Sequence, residues 1–177
     1  MRKIDLTNVQ EAGSRLPAGA YVCQIQAVED LTDKEYLKIT FDIVEGEFAG
    51  YYTTTREKHP DWAWVGEYCR SYKEKALGMF KRFCSSVSKS NGTFVFDGNT
   101  VNADERTLVG KRVGIVLREE EYYGNDGEKK VKLVVDRECP VSAVGDQRIP
   151  PRKELKDESA VANAGTSEVA DEIPFLK

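Results

Sequence analysis

The sequence predicts a small all-β body with one inserted helical stretch and a disordered tail. Three observations predict it. Five short segments are rich in β-branched and aromatic residues, most of them alternating apolar with polar, as strands buried on one face do. One segment between the third and fourth places its apolar residues at helical spacing. Residues 152–177 are rich in Ala, Ser, Glu and Lys and nearly lack bulky apolar side chains until the last few. The 177 residues fit one domain of roughly 100–150 residues plus a tail. The expected division is a body over 1–150 and a tail over 151–177.

Each element has a local reason. Leu16-Pro17-Ala18-Gly19 reads as a turn that launches a strand over 20–28. Leu37, Ile39, Phe41 and Ile43 alternate with Lys38, Thr40 and Asp42, which gives the cleanest strand in the chain. Glu45-Gly46-Glu47 and Ala49-Gly50 bracket the next turn. Residues 51–56 then read as a third strand, so Tyr51 and Tyr52 would point to opposite faces. Val65, Tyr68, Cys69, Tyr72, Ala76, Met79, Phe80, Phe83 and Val87 form one helical stripe. The Ser71-x-x-Glu74 capping box favours a break near Ser71, and Asn91-Gly92 ends the segment. Residues 93–101 suggest a small hairpin around Asp97-Gly98-Asn99. Val113, Ile115 and Leu117 mark the fourth strand, residues 123–127 a hairpin loop, and Val131, Leu133 and Val135 the fifth strand. Pro150-Pro151 cannot continue a sheet interior. Five strands with a helix between the third and fourth predict an OB-fold-like, partly open five-stranded barrel.

Charge and composition narrow the function. Net charge is −4, yet residues 1–153 hold 24 basic and 24 acidic side chains. The imbalance lies in residues 154–177, with two basic against six acidic. Residues 56–89 carry eight basic and four acidic side chains, so a neutral body conceals a basic region. No apolar run approaches the ~18 residues of a transmembrane helix, and residues 1–11 lack a signal-peptide core. Four scattered cysteines without a C-x-x-C pair, and a single histidine, His59, argue against a zinc site and for a reducing compartment. His59 reads as an exposed loop residue. No nucleophile elbow and no phosphate-binding glycine loop occur, so the expectation is a non-enzyme with neither cofactor nor metal.

The candidate interface lies in residues 51–75. Tyr51, Tyr52, Trp62, Trp64, Tyr68 and Tyr72 interleave there with Arg56, Lys58, Arg70, Lys73 and Lys75. Single-stranded nucleic acid asks for this mixture, because bases stack on flat rings and phosphates meet cations. Burial in the core is the competing use of each ring, for Trp64 and Tyr72 above all. A second, lower-ranked candidate is the hairpin over 118–132, with Tyr122, Tyr123, Lys129, Lys130 and Lys132. Its Glu119-Glu120-Glu121 block would repel phosphate. Lys111 and Arg112 are further phosphate contacts. At the end, Asp171-Glu172 precedes the compact apolar run Ile173-Pro174-Phe175-Leu176, the composition of a docking peptide.

Several motifs carry a resemblance. They are Leu16-Pro17-x-Gly19-x-Tyr21, the 36–46 strand ending Glu45-Gly46, Met79-Phe80-Lys81-Arg82-Phe83, Leu108-Val109-Gly110-Lys111 and Pro150-Pro151-x-x-Glu154-Leu155. Together the chain resembles small phage and prophage single-stranded DNA-binding proteins found beside replication and recombination genes. The end, Asp171 to Phe175, is similar to the acidic Ile-Pro-Phe tail of bacterial single-stranded DNA-binding proteins. That resemblance implies docking of Asp171 and Glu172 on basic residues of a replication or recombination partner, with Ile173, Pro174 and Phe175 in an apolar pocket. Here Leu176 and Lys177 follow the phenylalanine, so the terminal carboxylate that joins recognition in that tail is displaced. The implied setting is the bacterial host cytoplasm, with no membrane partner. The oligomeric state stays open, a homodimer included. Deleting residues 154–177 is expected to tighten DNA binding by unmasking basic residues. The rival reading is a protein–protein adaptor that touches no DNA, and the neutral body is its best support.

Overall fold

The computed structural model describes residues 15–98 and 103–155. Five strands form one antiparallel sheet: β1 (Gly19–Leu31), β2 (Tyr36–Ile43), β3 (Glu67–Ser71), β4 (Arg112–Tyr123) and β5 (Lys129–Cys139). Their order is β3-β2-β1-β4-β5. A helix α1 (Tyr51–Lys58) lies between β2 and β3, and α2 (Leu77–Ser90) lies between β3 and β4. The chain is therefore mostly β with an inserted helix, OB-like in strand order. The sheet is not closed by backbone hydrogen bonds, since β3 and β5 are its two edges.

The period-two pattern places the core. Cys23, Ile25, Leu37, Ile39, Phe41, Ile43, Val113, Ile115 and Leu117 all point inward and are buried. β1 pairs with β4 through its first half and with β2 along the rest, turning at an irregularity between Ile25 and Ala27. α2 packs under β3, β4 and β5 and buries Phe83, Cys84 and Val87. A side-chain ion pair joins the two open edges. Arg70 on β3 reaches Glu138 on β5 at 2.6 Å, and both are buried. This ion pair spans the seam that the backbone leaves open.

Three expectations are corrected. The third strand expected over 51–56 is helix α1. Its cap comes from another element: the buried Asp42 carboxylate on β2 accepts the amides of Tyr52 (2.9 Å) and Thr53 (2.8 Å). The start of the expected helical stripe is instead β3, because residues 67–71 pair with β2 from Thr40 back to Tyr36. A break does fall at Ser71, where β3 ends, but the expected capping box does not form: the Ser71 hydroxyl accepts the Lys73 amide at 3.2 Å, and neither the 74–76 turn nor α2 has a side-chain cap. Residues 93–98 form no strand, and the rest of the expected 93–101 hairpin lies outside the described residues. The Ser88 hydroxyl instead accepts the Phe96 amide at 3.0 Å and holds that ring in the core. Beyond residue 150, Lys153 forms an isolated parallel bridge to Glu120 on β4.

Candidate nucleic-acid interface

The loop from His59 to Gly66 connects α1 to β3 and carries both tryptophans. Trp62 stacks flat on His59, with centroids 3.9 Å apart and planes 10° apart. Trp62 is 56% exposed and Trp64 41% exposed. His59, expected as an exposed loop residue, is half-buried against that ring. Trp64 adopts φ 63°, a left-handed conformation that a bulky side chain rarely takes. Its neighbours enforce this. Gly66 also has positive φ, and a Cβ there would meet the Phe41 carbonyl at 2.7 Å. Arg56 donates to the Val65 carbonyl at 2.8 Å and bonds Gln26 and Thr53. The Trp64 ring consequently sits beside Lys38, whose Nζ is 5.0 Å from the ring centroid. Lys38 points outward from β2 and pairs with Glu67 at 3.1 Å. Sequence reasoning missed Lys38; its place opposite Leu37 and Ile39 in the alternation was the available signal.

Other members of the first candidate set have structural roles. Tyr52 packs edge-on against Phe41 at 5.0 Å, and Tyr51 packs against Phe48 at 6.3 Å. Burial pushes the Tyr52 hydroxyl well above its ordinary range. Both tyrosines therefore belong to core packing, not to opposite faces of a strand. Tyr68 is buried as well, its hydroxyl pushed up by burial and then by the Glu138 carboxylate. Arg70 is removed from the phosphate-binding set, because it is sealed against Glu138. Arg56 is a staple for the tryptophan loop. Lys58 and Lys73 are exposed. Tyr72 donates to Asp30 at 2.7 Å.

Lys111 lies over the Phe94 ring at 4.4 Å, and Arg112 pairs with Glu45 at 2.8 Å. Neither is brought against the tryptophan loop by any of these contacts.

The β4–β5 hairpin is the second candidate. Tyr122 pairs with Lys130 and Tyr123 with Lys129 across the strands. Tyr123 is 58% exposed, and Lys132 lies 5.2 Å from the Tyr122 centroid. Lys130 pairs with Asp126. The glutamate block faces cations from the chain itself. Glu119 binds Arg152 at 2.6 Å, Glu120 lies 3.6 Å from both Arg118 and Lys153, and Glu121 binds Lys129 at 2.9 Å. Lys129 holds the Glu121 carboxyl below its ordinary value, and the Leu155 amide adds to this.

The expected partner-docking residues Asp171, Glu172, Ile173, Pro174 and Phe175 lie outside the described residues. Among the described residues no group of three His, Cys, Asp or Glu side chains could hold a metal ion. None of their helices is long and apolar enough to cross a membrane. Compared with known proteins, the chain matches no protein-family model and no curated protein.

Proposed function

We propose that this chain is a single-stranded DNA-binding protein of a phage or prophage, serving replication or recombination. It coats single strands by stacking bases on Trp62 and Trp64 and by meeting phosphates with nearby cations. The observation that carries this reading is the tryptophan loop. An OB-like body that buries or half-buries most of its large rings holds these two exposed, one of them in a strained left-handed conformation beside Lys38. In this reading Lys58 and Lys73, both exposed, and the hairpin residues Tyr122, Tyr123, Lys130 and Lys132 supply further stacking and phosphate contacts. The acidic tail, through Asp171 to Phe175, recruits a replication or recombination partner.

A titration with oligo-dT at two salt concentrations, followed by tryptophan fluorescence, tests the reading. Quenching that weakens with salt supports it, with a log–log slope of about −0.7 per phosphate contacted. No quenching and no mobility shift would favour an adaptor that binds protein only. One observation favours that second reading: Lys38, Arg112, Arg118 and Lys130 already sit in ion pairs within the chain.

A further inference from the structure

We infer that Arg152 and Lys153 make the β4–β5 hairpin compatible with a phosphodiester strand by neutralising its glutamate block. This rests on the single-stranded DNA reading. β1 covers β4 only from Arg112 to Leu117, so the edge beyond it is open. Residues 152–155 fill that edge. The Lys153 amide donates to the Glu119 carbonyl at 2.9 Å, and the Glu121 amide donates to the Lys153 carbonyl at 2.9 Å. This is strand addition by the chain to its own sheet. It places Arg152 on Glu119 through two guanidinium nitrogens, at 2.6 and 2.7 Å. Lys153 lies 3.6 Å from Glu120, and the Leu155 amide donates to Glu121 at 3.2 Å. Every carboxylate of the block thus faces a donor from this short strand. Without it, the five acidic side chains over 118–132 would outnumber the four basic ones, Glu120 lying on the face of Tyr122, Lys130 and Lys132 and Glu119 and Glu121 on the other face of the same strand. Like charges at that range repel a phosphate most at low salt.

The test is oligo-dT binding at low salt by full-length protein and by R152Q/K153Q, with E119Q/E120Q added as a rescue. The double variant is expected to bind about tenfold more weakly, roughly the worth of one phosphate contact at low salt. The loss should shrink as salt rises. The added glutamine pair should restore affinity, although it leaves the strand's cations missing. Amide exchange at Glu121 and the melting temperature show whether the hairpin stays folded. Unchanged affinity in R152Q/K153Q overturns the inference. So does a loss that the glutamine pair fails to rescue, since Arg152 and Lys153 would then be touching DNA themselves or holding the fold. If full-length protein does not bind at all, the DNA reading falls and this inference with it.

Discussion

Trp62 and Trp64 are held outward by contacts that bind their loop, while Tyr51 and Tyr52, equally aromatic, are turned inward by a helix. This separates two kinds of substitution. Trp62→Ala and Trp64→Ala should each weaken oligo-dT binding by about 1–3 kcal/mol. The melting temperature should hardly move, because both rings are substantially exposed. Tyr52→Ala should do the reverse, lowering thermal stability through lost packing on Phe41. Equal affinity losses at all three positions would undo the division. The seam offers a sharper stability test. Glu138→Ala leaves the Arg70 guanidinium buried without its partner and should cost about 3–5 kcal/mol in chemical denaturation. The double change R70M/E138L removes both charges and should cost less than that single one. Trp62 and Trp64 were named from the sequence as stacking candidates; the core role of Tyr52 and the seam were not legible residue by residue. Arg70 reads as one more base in a basic stretch until the sheet brings it to β5.

At the scale of elements, α1 shows how a cap can come from outside its own segment. Residues 51–56 are β-branched and aromatic, so local preference favours a strand. Asp42 overrides it by accepting two amides of the first helical turn from the neighbouring strand. Asp42→Ala should therefore cost about 2–3 kcal/mol and release α1. Amide exchange localised to residues 51–58 would reveal this, and protection unchanged there would contradict it. Since Arg56 leaves α1 to hold Val65, the same change should also loosen the tryptophan loop. By contrast, β1, β2, β4 and β5 were legible in the sequence, because their inward residues recur every second position; the irregularities at Ile25/Ala27 and Val116/Leu117 were not. Nor was β3. Tyr68 fits a helical stripe as well as a strand, and only its pairing with Ile39 of β2 decides between them.

For the whole molecule, titration and charge give two further predictions. Burial, then the neighbouring Cys23, pushes the Tyr21 hydroxyl up from 10.0 to about 12, and burial pushes the Cys84 thiol up from 9.0 to about 12. Both groups favour their neutral form in the fold. Below pH 9 they are neutral in folded and unfolded chains alike, and their contribution to stability is intact. As pH rises from about 9 to 12 the unfolded chain loses these protons first, so stability should fall across that window. Circular dichroism against pH, read beside the tyrosinate absorbance that Tyr21→Phe removes, checks this; a Tyr21 contribution appearing near pH 10 without loss of structure would contradict it. The second prediction concerns the acidic end. Residues 152–155 belong to the body, so the cut that tests masking is placed after Leu155, not before Glu154. That truncation should tighten oligo-dT binding at low salt, with the gain fading at high salt. Unchanged or weaker binding would remove the masking role.

The sequence by itself determined the apolar alternation of four strands and the concentration of net negative charge in the last 24 residues. These are local quantities, set by side-chain alternation and composition. The burial of Asp42 and Glu138 on those strands was not written in that alternation. Tertiary structure decided which aromatics face solvent, which cations are already spent on carboxylates, and that a short segment after Pro151 completes the edge of β4. Those outcomes depend on pairs far apart in the chain, Asp42 with Tyr52, Arg70 with Glu138 and Arg152 with Glu119. A charge or a ring acquires its role only when the fold selects its neighbour, and residue spacing carries no record of that choice.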